Sequence, residues 1–165
     1  MNPLFLLFLF LHIGAAIVAF GPTFAFPLIA AAGQKNPQHA AFAAELSDRI
    51  ESKIVVPLAL SMPVSGALMI IVGGIDLFQP WLLAAIALYL VAISYSVFVQ
   101  GPAGRELAHV LGSMSTNAPG SGEAAIASGP PPRVAELGAK LQRGGMLLAA
   151  LLVAIVVLMV IGAET

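Results

Sequence analysis

Residues 7–32, LFLFLHIGAAIVAFGPTFAFPLIAAA, decide the fold. No charged residue interrupts this run, and extended back to residue 3 it exceeds the roughly 20 helical residues that cross a hydrocarbon core about 30 Å thick. A secretory signal has a basic start and an apolar core of about 7–15 residues. Here Met1-Asn2-Pro3 carries no Lys or Arg, and the apolar run is far longer. The Ala30-Ala31-Ala32-Gly33 end resembles a cleavage site, but we read the stretch as a membrane span.

Three further runs have the same character, at residues 54–72, 81–99 and 144–161, and none of the four contains a charged side chain. An unpaired charge at membrane depth is costly, which fits that exclusion. Composition agrees. The chain has 165 residues, 59% hydrophobic and only 9% charged, with a mean hydropathy of +0.99, whereas soluble domains carry about 25% charged residues. The expectation is a single all-α domain over residues 1–165, an integral membrane four-helix bundle with the lipid bilayer as its solvent. A net charge of −1 leaves nothing to neutralise a row of phosphates, so no nucleic acid partner is expected. The absence of cysteine excludes disulfides, thiolate metal sites and cysteine nucleophiles.

The connections give the orientation. Lys35, Arg49 and Lys53 lie in the first, and Arg105, Arg133, Lys140 and Arg143 in the third. The second connection and both chain ends have no basic residue. The positive-inside rule then puts residues 33–53 and 105–143 in the cytoplasm of a bacterial cell, with the protein in the inner membrane and both termini outside. Within the first connection, Asn36 and Pro37 suit an N-cap and first helical position. Phe42, Leu46 and Ile50 share one helical face, and Glu45 and Arg49 are spaced for an i,i+4 pair. Pro57 and Pro63 should bend the second span. The third span is expected to run on to about residue 111. Residues 113–132, rich in Ser, Gly and Pro, read as a flexible loop. Glu136 and Lys140 form a second i,i+4 spacing.

Few residues can carry chemistry. With no Asp, Glu, Lys or Arg in the spans, ion-coupled transport has no relay, and no phosphate loop or hydrolase motif is present. His12 remains. At a rise of about 1.5 Å per residue, His12, Ser65 and Tyr89 each lie about 12–13 Å below the outer surface, with Met62 and Met69 either side of Ser65. On one reading His12 ligates a metal, as an axial ligand to haem iron, with these four as same-depth neighbours; His/Met is a known axial pair. On the other, His12 hydrogen-bonds Tyr89, Ser65 or a backbone carbonyl and ties helices together. His39 and His109 read as solvated. Gly14 with Gly21, and Ser61 with Ser65, read as small-residue packing faces, and the phenylalanines of the first span as packing or lipid-facing residues. The Gly21-Pro22 step permits a kink and frees the carbonyl of Val18. No catalytic residue is assigned.

The string LHIGAAIVAFGPTFAFPLI, with a histidine early in the first span and a glycine nine residues later, resembles a bacterial family of four-helix membrane proteins known as domain of unknown function 2269. More distantly it is similar to membrane-bound four-helix protoporphyrinogen oxidases and to copper-resistance D-type membrane proteins. In the oxidases a first-span histidine is implicated in haem b binding, a role that maps onto His12. They also use an intramembrane lysine; the nearest lysine here is Lys53, at the mouth of the second span. Together these expectations give a haem-binding, redox-type membrane protein. The alternatives are a non-catalytic subunit of a larger membrane complex and a small-molecule permease; the partners expected are a second copy in a homodimer or a larger membrane complex.

Overall fold

The computed structural model describes residues 2–117 and 131–162, which are helical almost throughout. Helix α1 (Pro3–Lys35) is followed by a 3-10 turn (Pro37–His39) and α2 (Ala40–Ile50). A π-helical turn (Glu51–Val55) leads into α3 (Val56–Gly73). After a short turn come α4 (Pro80–Tyr95), a second π-helical turn (Ser96–Gln100), α5 (Gly101–Asn117), and finally α6 (Pro132–Gly162). Because each π turn is continuous with its neighbours, these make four long rods, each apolar and long enough to cross a membrane. The four expected spans fall one in each.

Local chemistry sets the ends. Asn2 caps α1 by accepting from the Leu4 N–H at 3.0 Å, and Pro3 takes the first position, where no N–H is needed. Pro22 and Pro27 sit inside α1 without ending it, as prolines do in membrane helices. Gly74, at φ +64°, closes α3 in the left-handed conformation that glycine adopts without steric penalty. Asp76 Oδ1 then accepts from Phe78 N–H at 2.9 Å, and Pro80 starts α4.

The rods alternate in direction. At one end Phe5 lies against Gly73 and Trp81 against Gly162, so the start of α1, the α3–α4 turn and the end of α6 share a level. The main pairings are α1 with α3 and α4 with α6, while α2 packs on α5 and α1 at the opposite end. Consecutive in sequence, α3 and α4 scarcely touch. The buried residues are few and mostly small: Ala19, Val55, Ala59, Met62, Leu82, Ala85, Ala103 and Leu137, with no buried polar residue among the described ones. Outward apolar side chains such as Phe10 and Phe98, at 74% and 76% exposure, fit contact with lipid rather than water. The seven basic residues all lie toward the end that holds α2 and α5.

Several local expectations change. Asn36 is the C-cap of α1, not an N-cap of α2: α1 runs on to Lys35, and the 3-10 turn separates it from α2. The apolar face of α2 turns outward, with Phe42 65% exposed, because α2 approaches α1 through small residues. A side chain at Gly33 would begin 3.1 Å from Ala43 Cβ. Glu45 and Arg49 do pair, at 2.6 Å. Glu136 instead pairs with Arg133 at 2.9 Å, and Arg133 also reaches Glu106 on α5 at 2.5 Å, so the expected Glu136–Lys140 pair is replaced. Of the expected loop 113–132, residues 113–117 belong to α5 and 132 opens α6; residues 118–130 lie outside the described residues.

Candidate functional site

The candidate site lies where α1 and α3 pack. His12 Nδ1 and Ser65 Oγ are 2.8 Å apart, and a side chain at Gly66 would begin 3.6 Å from His12 Cε1. The small residues of α3 let the imidazole lie against its backbone. Ser65 Oγ also donates to the carbonyl of Met62 at 3.0 Å, as serines in membrane helices often do within their own turn. With its proton directed there, the Ser65 oxygen is free to accept from His12 Nδ1–H, the tautomer that leaves the ring's lone pair on Nε2. No described residue partners Nε2.

Tyr89 is held differently. Pro63 lacks an N–H, so the carbonyl of Ala59, four residues earlier, loses its helical partner. The Tyr89 hydroxyl crosses the α3–α4 gap and donates to that carbonyl. Ala59 and Ser65 are six residues apart on α3, about 9 Å along its axis, so Tyr89 is bonded to neither His12 nor Ser65. Met62 is buried. Met62 and Met69 stand three residues before and four after Ser65, on its side of α3. The structure thus joins His12 to Ser65 directly and places Tyr89 on the next polar tie along α3.

Gly14 and Gly21 have no described atom of another helix within 4 Å of where a side chain would begin, so among the described residues they pack closely against no other helix. His39 and His109 are exposed. No cluster of three or more His, Cys, Asp or Glu suited to a metal occurs among the described residues.

Residues not singled out from the sequence make the tie between α4 and α6. Gln100 Nε2 donates to the Leu141 carbonyl at 2.9 Å, and Gly144 lets that amide and the Tyr95 hydroxyl fit against α6. An amide at the edge of an apolar run was the available signal. Likewise, each π turn is followed two residues later by a proline, Pro57 after Val55 and Pro102 after Gln100. A widened turn there relieves the clash and lost bond that proline imposes.

No curated protein and no solved structure matches this chain. A family described as predicted integral membrane protein, DUF2269, matches residues 6–162. With four membrane-length rods and nearly its whole length covered by that match, the chain belongs to the DUF2269 family of predicted integral membrane proteins.

Proposed function

We propose that this integral membrane protein is a haem-binding, redox-type protein in which His12 Nε2 is an axial ligand to the iron of haem b. One observation carries the reading: the His12 ring is pinned through Nδ1 by Ser65, while its other nitrogen has no partner among the described residues. Histidines that ligate metals commonly donate their second N–H to a neighbour that fixes the ring and raises its basicity, and Ser65 is such a neighbour. In this reading haem is held through this single imidazole, with Met62, Met69 or a second copy's His12 as the source of any further ligand. Bound haem would supply one-electron chemistry. Of this chain's own groups, Ser65 holds the ring and Tyr89 ties α3 to α4. The basic end faces the cytoplasm of a bacterial inner membrane in this reading, so His12 lies in the outer half of the bilayer.

The test is haem content per chain after expression with a haem precursor, for the wild type and His12→Ala. The reading expects near-stoichiometric haem in the wild type and its loss in the variant. A folded wild type without haem overturns it.

A second reading, a non-catalytic subunit of a larger membrane complex, is favoured by Gly14 and Gly21, which open onto no other helix among the described residues and would admit a partner helix closely. It expects a colourless protein that co-purifies with a stoichiometric membrane partner.

A further inference from the structure

At the end of the molecule opposite Pro3, a cavity of about 160 Å³ opens between the two rods that contain the π turns. Its polar lining comprises Asp48, Glu51 and Ser52 from one rod and Ser96 and Arg105 from the other, beside Val56, Val97 and Gly101. It lies where the two π turns meet. Each widens its helix by one residue in a turn, and the two stand side by side, with Ser96 Oγ donating to Glu51 Oε1 at 3.5 Å. Gly101 and Gly104 keep the wall open. A side chain at Gly101 would begin 3.5 Å from Arg105 Nη1 and 3.9 Å from Glu51 Oε1, and one at Gly104 would begin 3.8 Å from Glu51 Oε2.

Opposite charges therefore face the same space without closing on each other. Glu51, Asp48 and Arg105 take part in none of the ion pairs among the described residues. Two carboxylates on one wall and a guanidinium on the other suit a zwitterion: an ammonium for the first and a phosphate for the second. The hydroxyls of Ser52 and Ser96 add acceptors, which a primary ammonium with three N–H donors can use and a trimethylammonium cannot. The volume matches about five waters, enough for a small headgroup.

Position decides the source. Glu51 lies three residues before the apolar run that starts at residue 54, about 5 Å from its edge, and the Arg105 guanidinium reaches back beside Gly101, two residues past the run that ends at 99, about 3 Å. The headgroup layer occupies about 5–8 Å outside the hydrocarbon on each side. We propose that this cavity seats the headgroup of an aminophospholipid, its primary ammonium on Glu51 and Asp48 and its phosphate on Arg105. The site is independent of His12, which lies toward the other end of the bundle.

The test is native mass spectrometry of the full chain in mild detergent, titrated with phosphatidylethanolamine, phosphatidylcholine and phosphatidylglycerol of identical acyl chains. Soluble phosphoethanolamine serves as competitor. Phosphatidylethanolamine should bind most tightly, and Glu51→Gln and Arg105→Gln should each weaken it about tenfold, the scale of one charge-assisted hydrogen bond. Gly101→Leu, which fills the cavity, should abolish the preference. Circular dichroism melts of lipid-free variants, unchanged from wild type, separate loss of the site from loss of the fold. Equal binding of all three lipids, or a preference that survives in folded variants, overturns the proposal. Displacement by phosphoethanolamine at equal concentration overturns the assignment to lipid.

Discussion

Tyr89 on α4 is the partner that Pro63 on α3 makes necessary. The proline strips the Ala59 carbonyl of its helical donor, and the Tyr89 hydroxyl supplies the replacement across a gap that little else bridges. Such bonds between membrane helices average about 0.6 kcal/mol and reach about 1.7 kcal/mol. Tyr89→Phe should therefore destabilise the protein by an amount in that range. In a Pro63→Ala background, where the backbone can serve Ala59 itself, the same change should cost much less. A double-mutant cycle, read by unfolding in detergent, measures the difference; equal costs in the two backgrounds would contradict the relationship.

Removing the Ser65 hydroxyl should affect ligand binding more than stability. Ser65→Ala leaves His12 Nδ1 without its described partner, so the ring is free to turn. Losing a neighbour of this kind commonly lowers metal affinity about 10–100-fold. Haem titration of the purified variant should show that loss, while its helical content stays that of the wild type. Unchanged haem affinity would mean that Ser65 does not orient the ligand.

A larger residue at Gly144 should displace the Gln100 amide from the Leu141 carbonyl. A side chain there would begin within the space of the Gln100 amide and close to the Tyr95 hydroxyl, at the main tie between α4 and α6. Gly144→Val should cost about 1–3 kcal/mol through overpacking, whereas Gly14→Val, in open space, should cost little in a monomer. Thermal denaturation of both variants in the same detergent checks the contrast.

The distribution of basic residues predicts the sidedness. A fluorescent protein that matures only in the cytoplasm should stay dark when fused after Thr165, and alkaline phosphatase at the same point should be active. The reverse pattern would place the basic end outside and His12 in the inner half of the bilayer.

The number of rods was legible because lipid imposes a simple rule: long uncharged runs become helices, and charges collect where they end. Their limits were not, since the helices continue past the apolar runs into charged segments, α1 to Lys35 and α5 to Asn117. Helix partners were harder to read. Gly33, Gly144 and Gly162 define close approaches, yet in sequence they look like Gly14 and Gly21, which closely approach no other helix among the described residues. The outward turn of Phe42 was hidden for a related reason, since periodicity identifies an apolar face without saying whether lipid or protein covers it. At the candidate site, equal depth correctly suggested His12 beside Ser65. It could not show that Pro63 would draw Tyr89 to Ala59, because that depends on how far α4 stands from α3.

Haem ligation by His12 is tested by the absorption spectrum of the purified protein, oxidised and after dithionite reduction, for wild type and His12→Ala. A Soret band is expected in the wild type, with α and β bands on reduction, all absent from a folded His12→Ala protein. A wild type that remains colourless after expression with a haem precursor, or a Soret band unchanged in His12→Ala, would contradict it.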